Sequence, residues 1–419
     1  MEGSGNNSLL RNTRFMRLWA GQGISFVGDA ISLVALIVFV VDLTGSAASV
    51  GGVLVARLVP TLFSPLVGVL ADRLRDRRRL LVGVDIVRAG VIFCVIFTES
   101  VPVLYFLVFL LGCCQTLFNP TIRSAFPGVV GDGDLTRANA LISGTFSFSV
   151  AAGPAGAGLL IALVGVDMAF LIDAMTFLVS AAFLAFVPMP RERGGEEDDE
   201  GFMREFRAGL SYLRHARLPL ALVIGGFLLI LAENSTVPAE IFLARETFGA
   251  GDTGYGILVA CWGIGMIAGS GVMAWLGDRA NLILFYFVSI FLAAAAHVVT
   301  GFAPLFIIAL GALAIAGVCN GMDNVATDAL LQKRVPGKFL GRVYSVVFLG
   351  RSGGEVLALA IGGFIVDAIG PQDIYLLAAA ALAAIGVFLL FLIFTAPEKR
   401  GKRKRKGDSE AENSEKTPG

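Results

Sequence analysis

The 419-residue chain is 56% hydrophobic and only 16% charged, with 33 basic and 33 acidic side chains that leave a formal net charge of zero. Soluble domains carry about 25% charged residues, so the composition excludes an ordinary soluble enzyme, and nothing in its charge balance invites a nucleic-acid partner. Apolar stretches of about 20 residues recur from end to end, each long enough to cross a hydrocarbon core of about 30 Å as a helix.

The pattern reads as an all-α membrane protein with 12 transmembrane helices. Helices 1 to 6 are expected at 17–42, 48–71, 79–98, 102–124, 138–163 and 167–188. Helices 7 to 12 are expected at 219–243, 253–277, 281–300, 303–330, 340–366 and 371–396. Arg11, Arg14 and Arg17 precede a first apolar run that is too long for a signal-peptide core, so helix 1 is expected to be retained. All five cysteines fall inside predicted helices, which predicts no disulfide. With both ends cytoplasmic, the terminal segments and even-to-odd loops hold 29 of the 33 Lys and Arg residues. Arg245 is then the one basic residue in an outer loop, and Arg57, Arg88 and Arg351 lie within helices. The positive-inside rule therefore predicts a multi-pass protein with both termini cytoplasmic.

The polar segment between helices 6 and 7 divides the chain into a bundle at 1–190, a cytoplasmic linker at 191–218, a second bundle at 219–398 and a disordered basic and acidic tail at 399–419. Within the linker, Phe202, Phe206, Leu210 and Leu213 share one helical face opposite Arg204, Arg207 and Arg214, the pattern of a helix lying in the membrane interface. The halves resemble each other: an offset of 205 aligns Asn119 with Asn324, Arg137 with Arg342, and Gly158 with Gly363. Two six-helix bundles related by an axis along the membrane normal produce such a repeat.

Three stretches carry a family resemblance. "GVLADRLRDRRRLL" (68–81) packs seven charges into eight positions after helix 2, with Gly68, Asp72, Arg73, Arg77 and Arg78 at characteristic spacing, and Asp278 and Arg279 follow helix 8 in a related "AWLGDRA". "VAAGPAGAG" in helix 5 holds Gly153, Pro154 and Gly158. On these residues the chain resembles the major facilitator superfamily along its whole length, and the helix 5 stretch is similar to the Gly-Pro motif of its antiporters. "LWAGQGISFVGDAISLVAL" and "NPTIRSAFPGVV" resemble the macrolide-efflux and enterobactin-exporter branch. The resemblance implies two pseudo-symmetric six-helix bundles around a central cavity, a monomer, and export of bulky organic molecules. It further implies that Asp72 docks on the N-terminal end of helix 11 near Arg342 and closes a cytoplasmic gate, whereas the bland reading leaves all seven charges as a solvated anchor.

Ionisable groups within the membrane are costly unless paired or used. At a rise of about 1.5 Å per residue, Asp29 and Arg57 reach similar depths and are expected to meet. Two readings stand for them: a site for a proton or a cationic substrate, or a permanent structural pair. Glu233 has no basic neighbour in sequence and favours its protonated form if buried, unless helix 7 breaks at Pro238 and Glu233 lines an outer vestibule. Arg351 and Glu355, four apart, are expected to form an intrahelical pair, and Asp85 and Arg88 a structural one. Asp323 and Asp328 line the inner mouth or cap a turn. His297 could act as a pH switch, but a neutral histidine in the outer leaflet is the expected reading.

These features predict a secondary transporter, not an enzyme, that exports hydrophobic or amphipathic molecules by proton antiport and alternating access, with small-molecule cargo, protons and membrane lipid as its partners. No cofactor is expected, no metal site, and no phosphate-binding loop occurs. The same fold would also suit siderophore or lysophospholipid transport. A distant alternative, an intramembrane serine protease, rests on "GRSG" at 350–353 with His297 as base.

Overall fold

The structure is a computed structural model, and it describes residues 8–64, 67, 76–130, 134–189 and 202–394. Every expected transmembrane run contains a helix. In the first half these are α1 (Thr13–Thr44), α2 (Ala47–Leu58), α3 (Arg77–Val95), α4 (Val101–Val130), α5 (Leu135–Val164) and α6 (Val166–Ala185). The second half holds α7 (Arg217–Asn234), α8 (Gly251–Leu276), α9 (Leu282–Gly301), α10 (Phe306–Arg334), α11 (Gly337–Ile369) and α12 (Asp373–Phe394). A further helix, Phe202–Leu213, connects the halves.

Local chemistry sets the ends. Asn12 accepts from the backbone N–H groups of Arg14 and Phe15 to open α1. Gly45, at φ +61°, closes it by returning its N–H to Val41, and Ser46 at once caps α2. Pro60 lacks the N–H that would continue α2, which tightens into a 3₁₀ turn at Val59–Phe63. Helix 7 breaks as its proline suggests. After Asn234 the chain passes through a 3₁₀ turn at Val237–Ala239 and a π turn at Leu243–Thr247 before Gly251 starts α8. By contrast α4 runs on through Pro120 and Pro127, beyond the predicted end.

The connecting helix packs on α11. Its Leu213 is fully buried, Tyr212 stacks on Phe339 with ring centroids 4.8 Å apart, and Gly209 sits against the Arg342 carbonyl of α11. Phe206 and Leu213 of the apolar face seen in the sequence pack into the core of the second bundle, while Arg204, Arg207 and Arg214 stay exposed.

The two bundles share one apolar core at the end remote from the termini. There Val38, Leu104 and Phe170 of the first bundle join Phe242, Leu258 and Leu359 of the second. Towards the termini each bundle closes a core of its own, around Phe15, Leu81 and Phe126 in one and Leu222, Leu331 and Val343 in the other.

The shared end is sealed by two glycine seams. A β-carbon on Gly51 of α2 would overlap the Leu359 carbonyl of α11, and one on Gly256 of α8 would overlap the Pro154 carbonyl of α5. Gly363 of α11 lies against Ala47 and Ala48, and Gly158 of α5 against Asp252 and Thr253. Each member of one seam stands 205 residues from its counterpart in the other. The repeat read by eye in the sequence is thus reproduced contact for contact.

Filling a seam should open it. Overpacking costs about 1–3 kcal/mol, so Gly51→Val and Gly256→Val are each expected to widen spin-label distances across the remote end. Gly83→Val, whose β-carbon meets no atom within 4 Å, should leave them unchanged. Unchanged distances in the first two variants would show that the seams do not hold this end closed.

Candidate functional site

Charged side chains gather in the interior of each bundle. In the first, Asp29 of α1 meets Arg57 of α2 at 3.7 Å, the pair expected from depth. Arg88 of α3 also reaches Asp29, at 3.5 Å, and bridges to Asp85 at 3.6 Å. The Asp85–Arg88 pair expected from spacing is formed, and through Arg88 it joins the Asp29–Arg57 pair in one network. Arg88 is 5% exposed and lies over two rings, 4.4 Å from the centroid of Phe177 and 5.4 Å from that of Phe118, an arrangement that replaces lost hydration with quadrupole attraction. Asp173 of α6, fully buried, faces the same small cavity as Asp29, Ser32, Arg57, Arg88 and Gln115.

Sequence reasoning passed over Asp173. The clue was present, since it is a lone carboxylate in the middle of an apolar helix, and such groups are functional candidates by default. Next to it, a β-carbon on Gly28 would collide with Asp173 and Thr176, so the absence of a side chain at Gly28 admits α6 closely enough for its acid to join the cluster.

The second bundle carries a hydrogen-bonded chain across three helices. Asn320 donates to Glu233 at 3.1 Å, Asn324 donates to Asn320 at 2.9 Å, and Arg351 donates to the Asn324 side-chain oxygen. Asp323, one turn from Thr327, accepts from its hydroxyl at 3.4 Å. The Arg351–Glu355 pair expected from spacing is not formed among the described residues, because the guanidinium turns across to α10, where an amide oxygen is in reach. Asp328 lies on the same helix without joining this chain. His297 is buried, with Nδ1 2.8 Å from the Ala293 carbonyl and its ring 5.7 Å from that of Tyr375, which fits a packed neutral histidine.

Polar latches cross the remote end between the bundles. Asp367 of α11 accepts from the Ala47 N–H at 2.7 Å, the Ala48 N–H at 3.0 Å and the Ser46 hydroxyl at 2.7 Å, capping α2 from the opposite bundle. Arg245 grips Asp42 of α1 at 2.6 Å and Asp252 of α8 at 2.5 Å. None of these acids stood out in the sequence.

Of the charged loop after helix 2, Gly68, Asp72 and Arg73 lie outside the described residues. Asp76 caps α3 by accepting from the Arg79 N–H, Arg77 donates to the Ser124 carbonyl at 3.2 Å and Arg78 to the Ala185 carbonyl at 3.4 Å. The basic members thus tie α3 to the ends of α4 and α6. Asp278 lies 3.5 Å from Lys333 as an exposed pair of small energetic weight; Arg279 closes the same turn and Arg342 lies near the Phe339 ring in the first turns of α11. Gly153 packs on Ala30, and Pro154 with Gly158 forms the α5 side of a seam.

Residues 4–412 match the family model described as a transmembrane secretion effector. The chain belongs to this family. Macrolide efflux protein A of Streptococcus pyogenes is 25% identical over 383 residues, covering 89% of this chain and 94% of that one. The MFS-type transporter YfiS of Bacillus subtilis is 25% identical over 397 residues, covering 91% and 94%. Among solved structures, a mutant of the nucleoside transporter NupG superposes with a TM-score of 0.78 at 13% identity, over 91% of this chain and all of that one. A bacterial homologue of the iron transporter ferroportin gives 0.73 at 15% identity, over 92% and 99%. This secretion effector is accordingly a multi-pass efflux transporter of the major facilitator fold, and neither a protease nor another enzyme.

Removing the Asp367 cap should loosen the closed end. A helix cap is worth about 1 kcal/mol, so Asp367→Asn is expected to shift the closed-to-open ratio about fivefold. Labelling of Ala48→Cys, a position that gives the latch only its backbone N–H, by a membrane-impermeant maleimide in a background without the native cysteines should rise accordingly. Labelling equal to that in the parent would remove Asp367 from the latch.

Proposed function

We propose that this transporter exports cationic or neutral amphipathic molecules of the macrolide type across a prokaryotic plasma membrane, in exchange for protons and by alternating access. The observation that carries this reading is the excess of acid in both interior clusters. Asp29, Asp85 and Asp173 face Arg57 and Arg88, while Glu233, Asp323 and Glu355 accompany Arg351 alone. Buried charges demand compensation, and a proton or a cationic cargo supplies it. Macrolides bearing an amino sugar are cationic at neutral pH, which suits such a site. An anionic siderophore would meet the opposite field.

Alternating access needs two bundles that rock about a central site. A remote end closed by symmetric seams and latches, with separate cores at the other end, supports that motion. The distribution of Lys and Arg supports cytoplasmic termini, which would make this form open to the cytoplasm. The boundaries read from sequence, at 190, 218 and 398, would then separate the moving bundles from their linker and tail. Asp29 and Glu233 are the groups proposed to exchange proton and cargo, and the chain is proposed to act as a monomer.

Erythromycin export from proteoliposomes containing the full chain is expected to stop when the proton gradient is collapsed, and to be lost in Asp29→Asn and in Glu233→Gln. Export that continues unchanged without a gradient would exclude antiport, and export of an anionic catecholate in preference to erythromycin would exclude the proposed cargo.

A further inference from the structure

The interior cluster of the first bundle holds three carboxylates, Asp29, Asp85 and Asp173, and two guanidinium groups, Arg57 and Arg88. Asp29 lies within 4 Å of both Arg57 and Arg88, and Asp85 lies 3.6 Å from Arg88. Asp85 and Asp173 both carry carboxylate oxygens without a hydrogen-bond partner, Oδ2 in Asp173, but Asp85 keeps its ion pair with Arg88, and among the described residues Asp173 is the carboxylate of this cluster with no ion pair within 4.0 Å. It is fully buried. The partner of its other oxygen is the hydroxyl of Thr176, at 3.3 Å on its own helix.

Asp29 and Ser32 face Asp173 from α1, Arg57 from α2, Arg88 from α3 and Gln115 from α4. Asp85 lies behind Arg88 on α3. The sum over these groups, with all ionised, is one negative charge in a medium where an uncompensated charge is severely penalised. The cavity between them is about 10 Å³, at most the room that one water needs, so no organic cargo fits it. Among the described residues no set of three ligating side chains is arranged to hold a metal ion. The ligand that balances the charge and fits the space is a proton.

We propose that Asp173 is a proton-binding residue of this transporter, carrying the proton on Oδ2 when the remote end is closed. The inference rests on the antiport reading and adds to it the residue that holds the ion. Asp29 is the link to transport. It is partly exposed, at 23%, whereas Asp173 is sealed. Cationic cargo drawing on Asp29 would add positive charge beside the cluster, and Asp173 would then release its proton as the carboxylate takes over the pairing of Arg57 and Arg88. Protonation returns when cargo leaves. The step moves one proton between Oδ2 and water and alters no other bond.

The test keeps the number of charges constant. Infrared spectra of the full chain in lipid at neutral pH are expected to contain the carbonyl stretch of a protonated, buried carboxyl that vanishes in Asp173→Asn and shifts in Asp173→Glu. Asp29→Glu and Asp85→Glu should leave that component in place, whereas Asp29→Asn, which balances the cluster, should abolish it. Persistence in Asp173→Asn, or a shift in Asp29→Glu or Asp85→Glu, overturns the assignment. Gradient-driven erythromycin export should be lost in Asp173→Asn protein that melts as the parent does; retained export overturns the role in coupling. If parental export proves independent of the gradient, antiport itself fails, and the infrared component still decides whether Asp173 holds a proton.

Discussion

The arrangement depends on backbone meeting backbone across the two bundles. Lipid supplies no hydrophobic force between helices, so close association in a membrane relies on small residues that let main chains touch. At Gly51 and Gly256 a single methyl would collide with a carbonyl of the opposite bundle, which brings α2 onto α11 and α8 onto α5 over the same few residues. Because the seams are related by the 205-residue repeat, both sides of the remote end close with the same geometry. The two bundles therefore meet at both seams at once.

Polar latches add direction to this contact. Asp367 caps a helix that belongs to the other bundle, so its three hydrogen bonds exist only when the bundles are together. Arg245 spans Asp42 and Asp252 in the same way. An acid at a helix N-terminus and a shared guanidinium are modest interactions when exposed. In the proposed alternating-access cycle they would be lost on opening, which would help to set the balance between the two forms.

Beneath the closed end, the charged clusters explain why a membrane protein tolerates ionisable groups at such depth. Each cluster is satisfied in part: Arg88 by two carboxylates and two aromatic faces, Arg351 by an amide oxygen. What remains is surplus acid. A fully paired network would be inert, whereas a network one charge out of balance responds to the arrival of a proton or a cation, which is the requirement for exchanging one against the other.

Much of this was legible in the residues alone. Apolar runs of membrane length determined the helices, because a spanning segment has to satisfy its backbone internally and length with hydropathy reports that need. The repeat, the break at Pro238 and the Asp29–Arg57 pair followed from spacing, since each is set along one helix or by equal depth in two. The tertiary structure decided which side chains meet across helices. Arg351 turned from Glu355 to Asn324, Arg88 kept its own-helix partner Asp85 and also reached Asp29, and Asp173 and Asp367 met neighbours on other helices that spacing along the chain does not give. A uniform apolar helix can be rotated about its axis at little cost in lipid, so sequence sets how deep a charge lies, and only the packing of glycine faces sets which way it points.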